Sequence, residues 1–179
     1  MICFEDYLSK TLSRKEIDFL VEVVASDPQR LYELVNLVEG KDPKIAWHAA
    51  WCVEKLFDKY PEFFTKRMLE KITGLAIGTH KEGIRRLMLC VLIEADLSEI
   101  LPVELINKSF EWILAENSAI AVKALSMHYL LRVCQREPDL LPEFQLCVSQ
   151  LLESSDSPAI RSVARKVMKA DRPNCKKLL

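Results

Sequence analysis

The sequence contains only four glycines in 179 residues, and none of them belongs to a glycine-rich phosphate-binding motif. It also has no G-x-S-x-G nucleophile motif, no H-E-x-x-H pair and no C-x-x-C pair. Nucleotide-binding loops, hydrolase nucleophiles and zinc sites depend on such spacings. The sequence therefore predicts no catalytic residue, no cofactor and no metal ion, and it favours a protein without enzymatic activity.

The sequence also lacks long apolar runs and a large net charge. The longest purely apolar runs fall far short of the ~20 residues that a membrane span needs, and the first residues lack the pattern of a signal peptide. The formal net charge is −1, so nucleic acid has no overall electrostatic attraction to the chain. Six cysteines without close pairs are typical of free thiols in a reducing compartment. We expect a cytoplasmic protein that does not bind membranes.

Charge is nevertheless uneven along the chain. Seven basic residues and one acidic residue lie between residues 159 and 179, which gives this end +6 and leaves −7 for residues 1–158. Cations are favourable near a helix C-terminus, so a solvated helix end is the simpler interpretation. Contact with an acidic partner is the alternative.

A repeated helical pattern is what the sequence does contain. The clearest helix begins at Pro43 after Asp42, an N-cap followed by a proline at the first helical position. Its apolar residues recur at helical spacing and form one stripe. They are Ile45, Ala49, Cys52, Val53 and Leu56. Ser13–Glu16 and Thr79–Glu82 have the pattern of capping boxes and predict two further helix starts.

Similar helices are predicted to begin near residues 82, 119 and 158. Their first isoleucines align with Ile45 as Ile84, Ile120 and Ile160, at steps of 39, 36 and 40 residues by subtraction. The helix near residue 120 is predicted to bury one apolar stripe. Its members are Ile120, Ala124, Met127, His128 and Leu131. Steps of this length are typical of two-helix solenoid repeats.

These patterns predict one helical-repeat domain over residues 1–170. An atypical N-terminal cap covers 1–40, three repeats follow at about 41–78, 79–116 and 117–156, and a capping helix covers 157–170. Residues 171–179 are expected to form a flexible basic tail.

The succession of capped helix, apolar stripe, proline-marked turn and second helix resembles HEAT and armadillo-like repeats. Segments 46–56, 81–92 and 121–127 are similar to segments of small bacterial HEAT-repeat proteins. The resemblance implies an all-α fold, a short right-handed superhelix of antiparallel helix pairs. Such proteins can carry the label adenylosuccinate lyase. The serine-rich catalytic loop of that superfamily has no counterpart here, so we expect no lyase activity.

Trp47 and Trp51 lie on the opposite side of their helix from the apolar stripe. Packing against a neighbouring repeat is the interpretation we favour, and the alternative is an exposed aromatic platform with His48 beside it. The predicted register places no aromatic residue at the equivalent positions of the later repeats. Those positions are Arg86, Cys90, Val122 and Ser126.

A nucleic-acid-binding function is the alternative to protein binding. Some HEAT-like proteins are alkylpurine DNA glycosylases that stack tryptophan on damaged bases beside an acidic catalytic residue. By resemblance, Glu54 or Asp58 would take the acidic role, and Arg85 and Arg86 would contact phosphate, but no full catalytic motif is present. Basic residues near helix starts form a candidate phosphate-binding stripe. They are Lys41, Lys44, Arg85, Arg86 and Lys123.

Stacked helix pairs present an extended surface that is suited to a peptide, a helix or another domain. The leading prediction is therefore a protein-interaction or scaffold module that binds a protein or peptide. Exposed residues of a second helix, Glu104, Asn107 and Glu111, complete the set of candidate partner-binding residues. Neither the identity of the partner nor the oligomeric state follows from the sequence.

Overall fold

The computed structural model describes residues 2–10, 12–96 and 102–170, and these residues form ten α-helices and no strand. The expected all-α fold is therefore confirmed. The chain divides into two compact units, which we call unit 1 (residues 1–100) and unit 2 (residues 101–179). The predicted break after Ala95 lies largely outside the described residues, and the predicted basic tail at 171–179 lies entirely outside them.

The described residues of unit 1 form six helices. They are α1 (Phe4–Leu8), α2 (Arg14–Ser26), α3 (Leu31–Val38), α4 (Pro43–Lys59), α5 (Lys66–Gly78) and α6 (Glu82–Glu94). Helix α4 packs against α2 and α6, while α3 packs against α4 and α5 packs against α6. Their apolar stripes therefore meet in one interior, with α4 at its centre.

Helix α4 forms as the sequence predicts. The carboxylate of Asp42 accepts hydrogen bonds from the backbone N–H groups of Lys44 and Ile45, at 2.8 and 3.1 Å. Pro43 occupies the first helical position, where no N–H is needed. The predicted stripe from Ile45 to Leu56 is buried.

The cap of α4 makes stability depend on pH. Backbone donation from Ile45 and Lys44 lowers the pKa of Asp42. A carboxyl whose pKa is lower in the folded state stabilises the fold above its unfolded-state pKa, and this contribution is lost as the pH falls through its folded-state pKa. We expect Asp42→Ala to lower the free energy of unfolding at neutral pH, with a difference from wild type that shrinks in acid. Urea denaturation across pH measures this difference.

Glu153→Ala on an exposed position of α9 (Leu141–Ser154) serves as the control. Its difference from wild type should not follow the titration of Asp42. A constant difference between Asp42→Ala and wild type at every pH would show that the ionised cap contributes nothing.

One of the two predicted capping boxes is present. Before α2, the carboxylate of Glu16 accepts a hydrogen bond from the Ser13 backbone N–H at 2.6 Å. The Thr79–Glu82 prediction is wrong, because Thr79 ends α5 by donating its N–H to the Leu75 carbonyl oxygen at 3.1 Å. Helix α6 begins only at Glu82, with Lys81 at its N-cap position, and the carboxylate of Glu82 pairs with Arg85.

Four helices form within residues 102–170, the described part of unit 2. They are α7 (Val103–Leu114), α8 (Ile120–Arg136), α9 and α10 (Pro158–Met168). Helix α8 packs against α7 and α10, and α9 packs against α7 and α10. The same four pairings join α3, α4, α5 and α6 in unit 1.

Unit 2 repeats the internal design of α3–α6, and α8 corresponds to α4 at an offset of 77 residues. Helices α4 and α8 each have 17 residues and begin at Pro43 and Ile120, which are 77 apart by subtraction. A short 3-10 turn that starts with proline follows each helix, at Pro61–Phe63 and Pro138–Leu140, again 77 apart. Seven positions are buried in both α4 and α8 at this offset. They are Ile45, Ala49, Ala50, Cys52, Val53, Leu56 and Phe57 in α4, and Val122, Ser126, Met127, Tyr129, Leu130, Val133 and Cys134 in α8.

The offset corrects the predicted stripe of α8. Ile120 is 53 % exposed, whereas Val122 is buried. Because α8 begins at Ile120, its third residue is Val122, and the third residue of α4 is Ile45. The register that aligned Ile120 with Ile45 is therefore wrong by two residues. Of the other predicted members, Met127 is buried, and Ala124, His128 and Leu131 are only half-buried.

Candidate functional site

The side of α4 that faces away from the apolar stripe forms a surface with the adjacent side of α6. We call this surface the tryptophan face. On α4 the spacing of 4, 3 and 4 residues places four side chains along one line. They are Trp47, Trp51, Glu54 and Asp58 from α4, and α6 adds Gly83, Arg86 and Cys90.

The two indoles form a tilted pair. Their ring centroids are 5.4 Å apart and their planes differ by 45°. Trp47 is 37 % exposed and Trp51 is half-buried. A side chain at Gly83 would place its Cβ 3.4 Å from both Cδ1 and Nε1 of Trp47, so this indole rests on the backbone of α6. Trp47 therefore packs on one side and remains open to solvent on the other.

The packing of the fold does not require an aromatic pair at these positions. At the offset of 77 residues, Ala124 and His128 occupy the places of Trp47 and Trp51. Helix α8 nevertheless buries seven of the nine positions that α4 buries, and it packs against α7 and α10 as α4 packs against α3 and α6. The equivalent helix of unit 2 thus packs without indoles at these two positions.

His48 belongs to the interior of unit 1. It is 6 % exposed, and its Nδ1 donates a hydrogen bond to the Leu8 carbonyl oxygen at 2.7 Å. This bond ties α4 to the end of α1. The imidazole also lies edge-on to Trp47, with 5.4 Å between ring centroids, so it supports the indole from below the surface.

The adjacent arginines of α6 point in different directions. Arg85 is 8 % exposed, its Nε donates to the Ala76 carbonyl oxygen at 3.2 Å, and its Nη atoms contact the Thr79 carbonyl and the Glu82 carboxylate. Burial lowers the pKa of Arg85. Arg86 is half-buried and makes no hydrogen bond or ion pair with the residues that the structure describes. Arg85 is therefore structural, and Arg86 is available to a ligand.

Charge is distributed unequally on the tryptophan face. Lys44, Lys81 and Arg86 lie near the starts of α4 and α6. Toward the other end, Glu54 and Asp58 hold Lys55 between them, at 3.1 and 2.7 Å from its Nζ. Burial, and then the nearby carboxylate of Glu54, raises the pKa of the Cys90 thiol. The face is thus positive at the helix starts and mildly negative toward the helix ends.

Two clefts in unit 1 adjoin the tryptophan face. One of about 360 Å³ lies where α3 and α5 end and α6 begins, and Gly40, Gly74 and Gly78 line it. A Cβ at Gly74 or Gly78 would meet no atom within 4 Å, so these glycines leave the cleft wide. The other, of about 380 Å³, lies between α2 and α4 and has almost only charged walls. Its lining is Arg14, Asp18, Val21, Glu22, Lys55, Asp58 and Lys59.

The remaining candidate residues lie on α7 in unit 2. Glu104, Asn107 and Glu111 are all exposed, and Lys108 forms an ion pair with Glu111 at 2.6 Å. The opposite side of α7 is buried through residues such as Leu105 and Ile113. These three polar side chains therefore form a second solvent-facing surface.

The buried thiols are poorly suited to chemistry. Burial raises the pKa of Cys52 to about 12, and that of Cys134 and Cys147 to about 11, so all three are protonated at neutral pH. Within the described ranges, no group of three or more His, Cys, Asp or Glu side chains could hold a metal ion. No helix in the same ranges is long and apolar enough to cross a membrane.

Comparison with known proteins identifies the fold. A family model described as a HEAT repeat domain matches residues 4–171, which is most of the chain. No curated protein and no solved structure matched the chain. HEAT repeats typically mediate protein interaction or scaffolding, and the family is generally non-catalytic. With its helical units and this match over nearly the whole length, the chain belongs to the HEAT repeat domain family.

Proposed function

We propose that this chain is a protein-interaction module without catalytic activity of its own, and that unit 1 binds its partner through the tryptophan face. The observation that carries the proposal is the exposed Trp47 beside Trp51, on a helix whose counterpart packs with Ala124 and His128. An exposed indole costs solubility, and tryptophan is strongly enriched among the residues that dominate binding energy at interfaces.

The arrangement of the indoles also favours binding. Trp47 rests on the α6 backbone at Gly83 and against Trp51, so its orientation is largely set before a partner arrives. Binding then immobilises few side chains, and less of the interaction energy is lost to ordering. A partner side chain that covers Trp47 would bury the exposed part of the indole.

Nucleic-acid binding is the weaker alternative. A nucleic acid that follows the face would need cations along its whole length. Arg85 is engaged inside unit 1, and Glu54 and Asp58 occupy the other end of the face. Both carboxylates already contact Lys55, which argues against either one as the acidic catalytic residue of a glycosylase.

The α7 surface is a second proposed contact. Glu104, Asn107 and Glu111 are exposed polar residues at positions i, i+3 and i+7. Exposed ion pairs such as Lys108–Glu111 contribute little to stability, so changing these residues should leave unit 2 folded. We expect their loss to weaken partner binding less than the loss of the indoles.

Affinity capture with matched variants tests the proposal. The bait is the full chain as wild type, as Trp47→Ala/Trp51→Ala, or as the control Tyr32→Ala, which removes an aromatic residue of similar exposure from α3. Each is mixed with nuclease-treated and untreated native lysate, and retained proteins are identified by mass spectrometry. We expect one protein to be retained by wild type and Tyr32→Ala after nuclease treatment, and lost with the double variant.

Circular dichroism and thermal melting must show that each bait is folded. Trp47→Ala alone replaces the double variant if removal of the half-buried Trp51 unfolds unit 1. Equal retention by the tryptophan variants would contradict the proposed surface. Retention that disappears on nuclease treatment would favour the nucleic-acid alternative.

A further inference from the structure

We infer that the partner segment bound by the tryptophan face is a peptide that carries an acidic side chain next to a large apolar one. This inference rests on the proposed function and specifies the chemistry of the partner at the same surface. Cations near the starts of α4 and α6, Arg86 above all, and one exposed indole, all in unit 1, carry it.

The cations are Lys44, Lys81 and Arg86. Lys44 and Lys81 are exposed and Arg86 is half-buried, and none of the three side chains donates a hydrogen bond or forms a close ion pair within the described part of the chain. The nearby acids are already engaged. Asp42 accepts from the backbone at the start of α4, and Glu82 holds Arg85. The carboxylate of Asp42 is also attracted to Lys44 and Lys81 and offsets one of the three positive charges, so this end of the face keeps a net positive charge in which Arg86 has no acidic partner among the described residues.

Arg86 is the best placed of the three to hold a carboxylate. It lies one turn after Gly83 on the same side of α6, and Gly83 contacts Trp47. A guanidinium can hold a carboxylate through two parallel hydrogen bonds, and partial burial strengthens such bonds relative to those of an exposed lysine. A carboxylate on Arg86 would also be attracted by Lys44 and Lys81.

The indole supplies the apolar half of the site. Trp47 exposes one side of its ring, and the tilt of 45° to Trp51 leaves an angle between two aromatic surfaces. A large apolar side chain can pack between the two rings and bury area on both. An aromatic side chain there can also adopt the tilted geometry that aromatic pairs favour. A peptide can place an apolar side chain here while a neighbouring carboxylate reaches Arg86.

The charge distribution favours a short acidic segment over a nucleic acid or a basic peptide. The three cations cluster at one end, and a polyanion that continued along the face would meet Glu54 and Asp58. A basic side chain would be repelled at the helix starts. At the other end it would have to compete with Lys55, which already bridges the two carboxylates.

Fluorescence quenching tests the local charge without any partner. Iodide and caesium quench exposed indoles, and the positive end of the face should attract iodide and repel caesium. At low salt we expect the ratio of iodide quenching to caesium quenching to exceed that of N-acetyltryptophanamide, a neutral free indole, and to fall in Arg86→Gln and Lys44→Gln. Arg67→Gln, which changes an exposed arginine on α5, is the control. A ratio no higher than that of N-acetyltryptophanamide would overturn the inferred attraction of carboxylates.

Selection from a library of random peptides tests the partner chemistry directly. Peptides displayed on phage are selected on immobilised full-length wild type, and the affinities of the enriched peptides are then measured for each variant. We expect Asp or Glu beside Trp, Phe or Leu in the enriched peptides. Binding should weaken about tenfold in Arg86→Gln, or when the acid of the peptide is replaced by its amide, and should be unchanged in Arg67→Gln.

The outcomes separate this inference from the proposed function. Apolar peptides without an acid, whose binding is lost in Trp47→Ala but kept in Arg86→Gln, would overturn the inference and leave the proposed function intact. Binding that does not depend on Trp47, or the absence of any enriched peptide, would contradict both. A single-stranded oligothymidylate that binds wild type more tightly than the selected peptides would favour a nucleic-acid ligand instead.

Discussion

Val122→Asp is expected to cost more than about 3 kcal/mol of folding free energy, whereas Ile120→Asp is expected to change it by less than about 0.5 kcal/mol. Val122 is buried in α8, so an aspartate there would place a carboxylate in an apolar interior. Ile120 is 53 % exposed at the first helical position, where a negative charge interacts favourably with the helix dipole. The same substitution at two apolar residues only two positions apart should thus have very different effects on the folding free energy.

Urea denaturation followed by circular dichroism measures both variants against wild type. The corresponding change in unit 1, Ile45→Asp, should behave as Val122→Asp does, because the two residues match at the offset of 77. The reverse order, with Ile120→Asp the more damaging variant, would restore the simple alignment of isoleucines and contradict the repeat that relates unit 2 to α3–α6.

The second large effect is expected at Arg85. Arg85→Ala should lower the free energy of unfolding by about 2–3 kcal/mol, because the carbonyl oxygens of Ala76 and Thr79 lose a charged donor at the end of α5. Arg86→Ala should change it by less than about 0.5 kcal/mol, since this side chain has no partner among the described residues. Thermal and urea denaturation of both variants give the comparison.

Binding should show the opposite pattern. Folded Arg85→Ala protein is expected to bind the selected peptides with the affinity of wild type. Arg86→Ala is expected to lower that affinity. Similar losses of stability in both variants, or weaker binding in Arg85→Ala alone, would contradict the division of the two arginines into a structural and a binding residue.

Local patterns predicted helix α4 well because its determinants are local. An aspartate followed by proline defines the start, and apolar residues at regular spacing define the buried side. Helix α8 has Ala119 at its N-cap and two β-branched residues near its start, so neither capping nor hydrophobicity distinguishes Ile120 from Val122. The position at which α8 begins decides which of the two is buried.

Local sequence patterns likewise predicted only part of the candidate site. Helical spacing correctly separated Trp47 and Trp51 from the apolar stripe of α4. It could not indicate that Gly83 supports Trp47, because that contact joins two helices. Arg85 and Arg86 are identical neighbours in the sequence, and only the carbonyl groups at the end of α5 determine which one turns inward.

Photo-crosslinking from the indole position tests the central claim most directly. Trp47→p-benzoylphenylalanine places a photoreactive aromatic group on the tryptophan face, and Tyr32→p-benzoylphenylalanine places one at similar exposure on α3. We predict that irradiation in native lysate yields a discrete, nuclease-resistant protein adduct from position 47 and none from position 32. The same adduct from both positions, or none from position 47, would contradict a protein-binding function of this face.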